Sequence, residues 1–354
     1  MTEREAYVAF NMTDKVGPAK VGALVREAGS VAAAWEAYPL KTARSGGEVD
    51  WRGELKRAEK FGVNVVTPAD DGYPERLRDA PGRPLALYVK GDVKALSMPS
   101  VAIVGTRRAT AYGLDQAFKI ARDLAEDGWC VVSGLALGID AEAHKGALAA
   151  NGATVGVIGS GLDQFYPEEN RDLAREIVKA GGAVVSEFPF GRAPDQQTFP
   201  QRNHVVAALA AGVVAVEAPS KSGALITAGI AADLGRTVMA VPGRVDSRSS
   251  AGCLALIRDG AVLVRGARDV GEALSELLPG NGRRGTAEEA PRPKFSIEEA
   301  LVMKHVDAEG VSMDELVRKT KLPAAKVNSL CMALRVKGRV RFFPGNRVAL
   351  PREG

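Results

Sequence analysis

The stretch VAIVGTRRATAYG at 101–113 places two adjacent arginines directly after a glycine that ends an apolar run, where a helical pattern begins. A strand that turns into a helix through glycine presents free backbone N–H groups, a ready receptor for a phosphate-bearing ligand. Arg107 and Arg108 add two permanent, forked charges at that turn, and a guanidinium matches phosphate oxygens closely. The ligand that such a turn serves is a nucleotide coenzyme or the backbone of a nucleic acid.

Other apolar runs end in similar residues. Gly105 and Thr106 precede the arginine pair, and Ser133-Gly134 follows the run at 130–132. Gly159, Ser160, Gly161, Leu162 and Asp163 follow the next, with Ser186-Glu187, Glu217, Ser222-Gly223 with Thr227, and Pro242-Gly243 behind the rest. In open parallel sheets ligands bind beyond the carboxyl ends of the strands. Glycine admits a close backbone approach there, and Ser or Thr caps the following helix. The glycines at 159 and 161 continue as Leu-Asp-Gln, without the third glycine of a dinucleotide fingerprint, and SKSGALIT at 220–227 lacks the Gly-Lys-Ser/Thr of a P-loop. Asp140 and His144 stand four apart near Ser133. That spacing reads more simply as a local hydrogen bond than as part of a triad, since no GxSxG elbow accompanies it. Three histidines without clustered cysteines or carboxylates argue against a metal site. The remaining fit is a phosphodiester backbone, with Phe165, Tyr166, Phe188, Phe190 and Phe199 nearby in sequence. Arginines with aromatics in loops suit single strands, whose bases are free to stack, although such rings also plug loops onto a sheet.

The elements that must position these residues follow from hydrophobic pattern. Apolar runs recur at 101–104, 130–132, 154–158, 183–185, 213–216, 237–241 and 261–264, separated by amphipathic stretches such as 112–128 and 170–182. Continuous apolar strands alternating with helices predict an α/β, Rossmann-like doubly wound sheet, mostly parallel and covered on both faces. Residues 1–60 form a helical N-terminal domain, with the VGPAK turn at 16–20 resembling half of a helix-hairpin-helix. The core spans 61–278, and 279–294 (PGNGRRGTAEEAPRPK) reads as a linker. Residues 295–354 show three helical patterns and a hairpin around Pro344-Gly345-Asn346, a winged-helix-like unit. Pro291 to Gly354 carries 13 Lys and Arg against 7 Asp and Glu, a net +6, leaving 34 against 36, or −2, elsewhere. A basic tail unit on a near-neutral body hints at nucleic acid. No apolar run of about 18 residues implies a membrane span, no secretory pattern opens the chain, and three scattered cysteines suit reduced thiols in a cytoplasm.

Together GTRRATAYG (105–113), SGLALGIDAEAH (133–144), GSGLDQFYPEEN (159–170), SEFPFG (186–191), FPQRNH (199–204), VVAVEAPSKSGALITA (213–228) and AVPGR (240–244) resemble the DNA-processing protein A family, also called Smf. The ordered match runs over about 61–265, with YPERLRDAPGRPLALYVKG (73–91) resembling the entry to that family's core. The resemblance implies an extended Rossmann fold that binds single-stranded DNA and needs no cofactor or catalytic step. It implies a homodimeric recombination mediator that protects incoming strands in natural transformation. It further implies help in loading the RecA recombinase past single-strand-binding protein. By the same resemblance Arg107 contacts the DNA backbone, Gly159 to Asp163 border the groove, and Arg202, Asn203, Ser222 and Gly223 line neighbouring loops. The family commonly has Arg-Asn-Arg where this chain has Arg202-Asn203-His204, which removes one charge. The rival expectation is a Rossmann-like enzyme cleaving the N-glycosidic bond of nucleoside monophosphates, with Glu217 drafted as its carboxylate.

Overall fold

The computed structural model describes residues 1–38, 47–275, 296–307, 310–336, 339–343 and 347–350. They fall into two compact units, Met1–Pro279 and Gly280–Gly354. The first is organised by a nine-stranded sheet in the order β1-β2-β6-β5-β4-β3-β7-β8-β9. Its strands are β1 (Asn64–Val66), β2 (Leu87–Gly91), β3 (Ser100–Val104), β4 (Cys130–Ser133), β5 (Thr154–Val157), β6 (Ala183–Ser186), β7 (Gly212–Ala215), β8 (Thr237–Ala240) and β9 (Val262–Leu263).

From β3 the chain winds outward through β4 and β5 to β6, all parallel neighbours. It then returns to pair β7 with the opposite side of β3, and continues through β8 to β9. The strand order therefore reverses between β3 and β7, which opens a crevice beyond their carboxyl ends. Strands β3 to β7 are buried along their whole length, as continuous Val, Ile and Ala runs require when both faces are covered. On one face α6 (Ala111–Glu126) and α7 (Ile139–Ala149) pack Ile120, Leu124, Ile139 and Ala143 against Val101, Ile103 and Val131. On the other, α9 (Thr198–Leu209) and α10 (Gly223–Asp233) supply Val205, Val206, Leu209 and Ala231 against Ala102, Val104 and Val213.

Two strands lie outside the sequence expectation. β2 pairs antiparallel with β6, and β1 antiparallel with β2, so the sheet is mixed at this edge. The N-terminal helices α1 (Glu3–Met12), α2 (Pro18–Ala28), α3 (Val31–Ala37) and α4 (Trp51–Phe61) pack onto that edge within the same unit. A capping box joins Thr2 and Glu5 at the start of α1. Gly17 and Pro18 start α2 as the VGPAK turn predicts, with proline at the position that needs no N–H donor. Asn11 donates to the Glu187 carbonyl and Arg4 to the Val65 carbonyl, tying helices to sheet.

Among the described residues, the second unit holds three helices, Ile297–Met303, Met313–Thr320 and Ala324–Val336, and a small sheet whose central strand Arg347–Ala349 pairs with Val311–Ser312 and Arg341–Phe343. Val302, Leu316, Val327, Leu334 and Val348 form its core. This is a winged helix. The linker at 279–294 and the expected turn at Pro344-Gly345-Asn346 lie outside the described residues.

Asp140 and His144 do not bond to each other, contrary to the i,i+4 expectation. His144 Nδ1 lies 2.7 Å from Thr154 Oγ1, whose own proton goes to the Val131 carbonyl, so the ring carries its proton on Nδ1. Full burial, reinforced by the positive charge of Arg202, pushes the His144 pKa down to about 3. The folded state thus holds the ring neutral, while an unfolded histidine protonates near pH 6.5. Below that value the unfolded chain binds the extra proton, so acidification must destabilise the fold by roughly 2 kcal/mol at pH 5 from this group. Urea unfolding at pH 7.5 and 5.0 should show a smaller acid loss in His144→Gln than in the parent chain; equal losses would remove His144 from the account.

Candidate nucleic-acid interface

The crevice at the β3/β7 reversal gathers most of the strand-end residues of the sequence analysis. Gly105, Thr106, Arg107 and Arg108 line one side, and Lys221, Ser222 and Gly223 the other, with Phe199, Arg202 and Asn203 between them in an open groove of about 490 Å³. Each part is held in place by the fold.

The loop after β3 is pinned at both ends by Glu217. The Thr106 amide donates to the Glu217 carbonyl at 2.7 Å, while the Thr110 amide and hydroxyl donate to its two carboxylate oxygens at 2.8 and 2.9 Å. Thr110 in turn caps α6 by accepting from the Gly113 amide. Gly105 must lack a side chain, because a Cβ there would collide with Ile139. Pinned so, the loop leaves Arg107 and Arg108 exposed. With both Glu217 oxygens engaged and the side chain buried, the carboxylate that the glycosidase reading needs is already holding a loop. The Ser133 hydroxyl likewise donates to the Ile103 carbonyl at 2.6 Å, so no triad forms with Asp140 and His144.

Opposite, Ser222 caps α10 by accepting from the Ala224 amide, and the backbone at Gly223 is open on the side where a Cβ would stand. An uncovered helix N-terminus beside the Lys221 ammonium favours an anion.

Arg202, from the first turns of α9, behaves differently from the exposed pair. It is buried, and its Nη1 donates to the carbonyls of Gly134 and, at 2.9 Å, Val157, at the carboxyl ends of β4 and β5. Its Nε donates to Asn203 Oδ1 at 3.1 Å. Asp140 lies beside it and accepts from the amides of Gly134 and Ala136. Burial pushes the Asp140 carboxyl upward, opposed by the Arg202 charge and these amides. Burial lowers the affinity of Arg202 for its proton, with Asp140 opposing and Arg107 adding to the effect. Gly134 sits between them, where a Cβ would meet both side chains. Arg107 and Arg202 also lie over one ring, their guanidinium carbons 5.3 and 6.0 Å from the Phe199 centroid. Two like charges share that ring, an arrangement whose repulsion an anion would relieve.

Not every expected residue reaches the groove. Ser160 is completely buried, with its carbonyl accepting from Ser186. Gly161 packs against the Pro189 carbonyl. Asp163 turns to the other side of its loop, where it meets Arg57 at 2.7 Å and the Gly191 amide at 2.8 Å. From that loop Gly159 and Tyr166 do extend the groove, beside Phe199 and Leu137. His204 donates from Nε2 to the Pro81 carbonyl at 2.8 Å, a tie between α9 and the loop after Arg78. Lys221 was outside the sequence-derived set; its signal was a cation directly ahead of a capping serine. Phe199 stands in the sequence among the aromatics that suit single strands, and the structure sets its ring between Arg107 and Arg202.

A family model for "DNA recombination-mediator protein A" matches residues 64–275, and one for the "DprA winged helix domain" matches 286–346. The chain belongs to the DNA recombination-mediator protein A family. It is 31% identical to protein Smf of Synechocystis sp., across 98% of both chains. It is 41% identical to DNA processing protein DprA of Streptococcus pneumoniae over 57% of this chain and 71% of that one. The crystallographic structure of the Streptococcus pneumoniae protein superposes with a TM-score of 0.64 at 32% identity, covering 76% of this chain and 97% of that one. DNA processing protein A of Helicobacter pylori gives 0.55 at 30% identity over 61% and 98%.

The geometry separates a bracing arginine from surface arginines. Arg202→Ala leaves two strand-end carbonyls and Asp140 without their cation, and should cost about 3 kcal/mol. Arg107→Ala and Arg108→Ala should each cost under about 1 kcal/mol. Chemical denaturation of the three variants checks this, and similar losses at all three would contradict it.

Proposed function

We propose that the β3/β7 groove holds the phosphate backbone of single-stranded DNA, and that this recombination mediator uses it to protect incoming strands and to load RecA. The observation that carries the reading is the pair of exposed arginines on a loop pinned by Glu217, facing an open helix N-terminus and Lys221 across the reversal point. Cations and backbone amides arranged this way recognise a phosphate track and carry little sequence information. The preference for single strands rests on the apolar side of the groove, where Tyr166 is 45% and Leu137 38% exposed. Unpaired bases can lie against such side chains, whereas a duplex keeps its bases stacked inside. The Helicobacter pylori relative is described by its single-stranded DNA binding mode, which supports the same assignment here. Homodimerisation, a cytoplasmic location and a handover from single-strand-binding protein to RecA complete the proposal, on the strength of the family resemblance.

Binding should fall steeply with salt, because each neutralised phosphate releases counterions. In titrations of labelled oligonucleotides at several salt concentrations, Arg107→Ala should weaken binding to all sequences alike and flatten the log–log salt slope by about 0.7. Lys221→Ala should act in the same direction. Equal affinity for duplex and single strand, unmoved by Arg107→Ala, would place DNA binding elsewhere in the chain.

A further inference from the structure

The loop that carries Tyr166 into the DNA groove has a second side. There, between α4 and the helix Arg171–Lys179, lies an open groove of about 700 Å³ that shares no lining residue with the β3/β7 groove. Its floor is apolar, formed by Leu162, Ala174 and Val178, with Phe61 exposed at 46% on its wall. Its rim is cationic, with Arg57, Lys90, Arg171, Arg175 and Lys179 among the lining residues. The single acid in the lining is Asp163, which is already engaged by Arg57 and the Gly191 amide. Lys179 has no acidic partner among the described residues.

Cations beside aromatic rings suit two kinds of polyanion, and the ring faces distinguish them. Arg57 lies 6.0 Å from the Phe61 centroid and 5.2 Å from that of Phe190, and Arg171 lies 5.5 Å from that of Phe165. The rings are thus stacked by guanidinium groups, and a nucleobase would have to displace an arginine to stack. The aliphatic floor remains available, and it suits an apolar side chain carried on a flexible strand of backbone. The wall is also preformed: the buried Glu54 carboxylate accepts from the Phe190 amide at 2.8 Å, and Tyr88 packs edge-on against the Phe190 ring. A preformed apolar floor lowers the ordering cost of capturing a peptide.

We propose that this groove is a docking site for an acidic peptide segment of a protein partner, with an apolar or aromatic side chain seated on the Leu162–Ala174–Val178 floor and its carboxylates facing Lys90 and Lys179, beside the exposed Arg175–Asp172 pair. Charge complementarity selects the occupant: of the five cations in the lining, Arg57, Arg171 and Arg175 pair with Asp163, Glu168 and Asp172, while Lys90 and Lys179 have no acidic partner among the described residues.

The test uses the full chain and a fluorescein-labelled peptide of consecutive aspartates ending in phenylalanine, read by fluorescence anisotropy. Binding should weaken about tenfold when the phenylalanine is replaced by serine, and at least about tenfold in the double variant Arg175→Glu, Lys179→Glu. Both changes lie on the exposed side of one helix, and circular dichroism verifies the fold. Val178→Asp, which alters the floor and leaves every rim cation in place, should also abolish binding. Saturating oligo-dT should leave the peptide bound, because the two grooves are separate. Failure of the parent chain to bind, or unchanged binding in the charge-reversed variant, would overturn the proposal. Displacement by oligo-dT would overturn it too, by assigning the peptide to a nucleic-acid track.

Discussion

A guanidinium placed under the strand ends organises the candidate site. Arg202 reaches from α9 to the carbonyls that terminate β4 and β5, where the sheet has no further strand partners to offer them. Buried carbonyls without donors are expensive, and so is a buried cation without partners. The arrangement settles both at once, with Asp140 and the Gly134 and Ala136 amides closing the network. Glycine at 134 is the steric condition for it. Arg202 also carries part of the charge that faces the groove through Phe199, so the brace and the electrostatic character of the site are one feature.

The topology supplies the rest. Reversal of strand order between β3 and β7 separates two strand-to-helix turns that would otherwise be packed side by side. Glu217, at the end of β7, then fastens the β3 turn by three hydrogen bonds from Thr106 and Thr110. The turn is rigid where it touches the fold and exposed where Arg107 and Arg108 stand. Preorganisation of this kind allows a phosphate to be met without ordering a loop first.

Much of this was legible in sequence, and the exceptions have physical reasons. Fully buried parallel strands leave uninterrupted apolar runs, so β3 to β7 were visible, and the runs at 237–241 and 261–264 marked the less buried β8 and β9. β1 has only three residues, and its pairing with β2, like that of β2 with β6, is a long-range antiparallel match that local pattern does not encode. Arg107 and Arg202 look alike as residue types, but Arg107 stands on the exposed loop after β3 while α9 turns Arg202 inward onto the ends of β4 and β5. Asp163 reads as a groove residue because it follows two glycines, yet its side chain turns toward Arg57, 106 positions away in sequence. Histidine at 204 finds a use as a donor to the Pro81 carbonyl. Its local sequence contains no sign of that partner.

The most direct measurement of the central claim is amide hydrogen exchange of the full chain with and without a short single-stranded oligonucleotide. If the phosphate track lies at the β3/β7 reversal, added DNA should slow exchange in the segments 105–110 and 221–225, with α9 near Phe199 following. Exchange in the winged helix should change far less. Slowed exchange confined to residues 311–349, with the β3 and β7 turns unaltered, would contradict the account and move the DNA to the second unit.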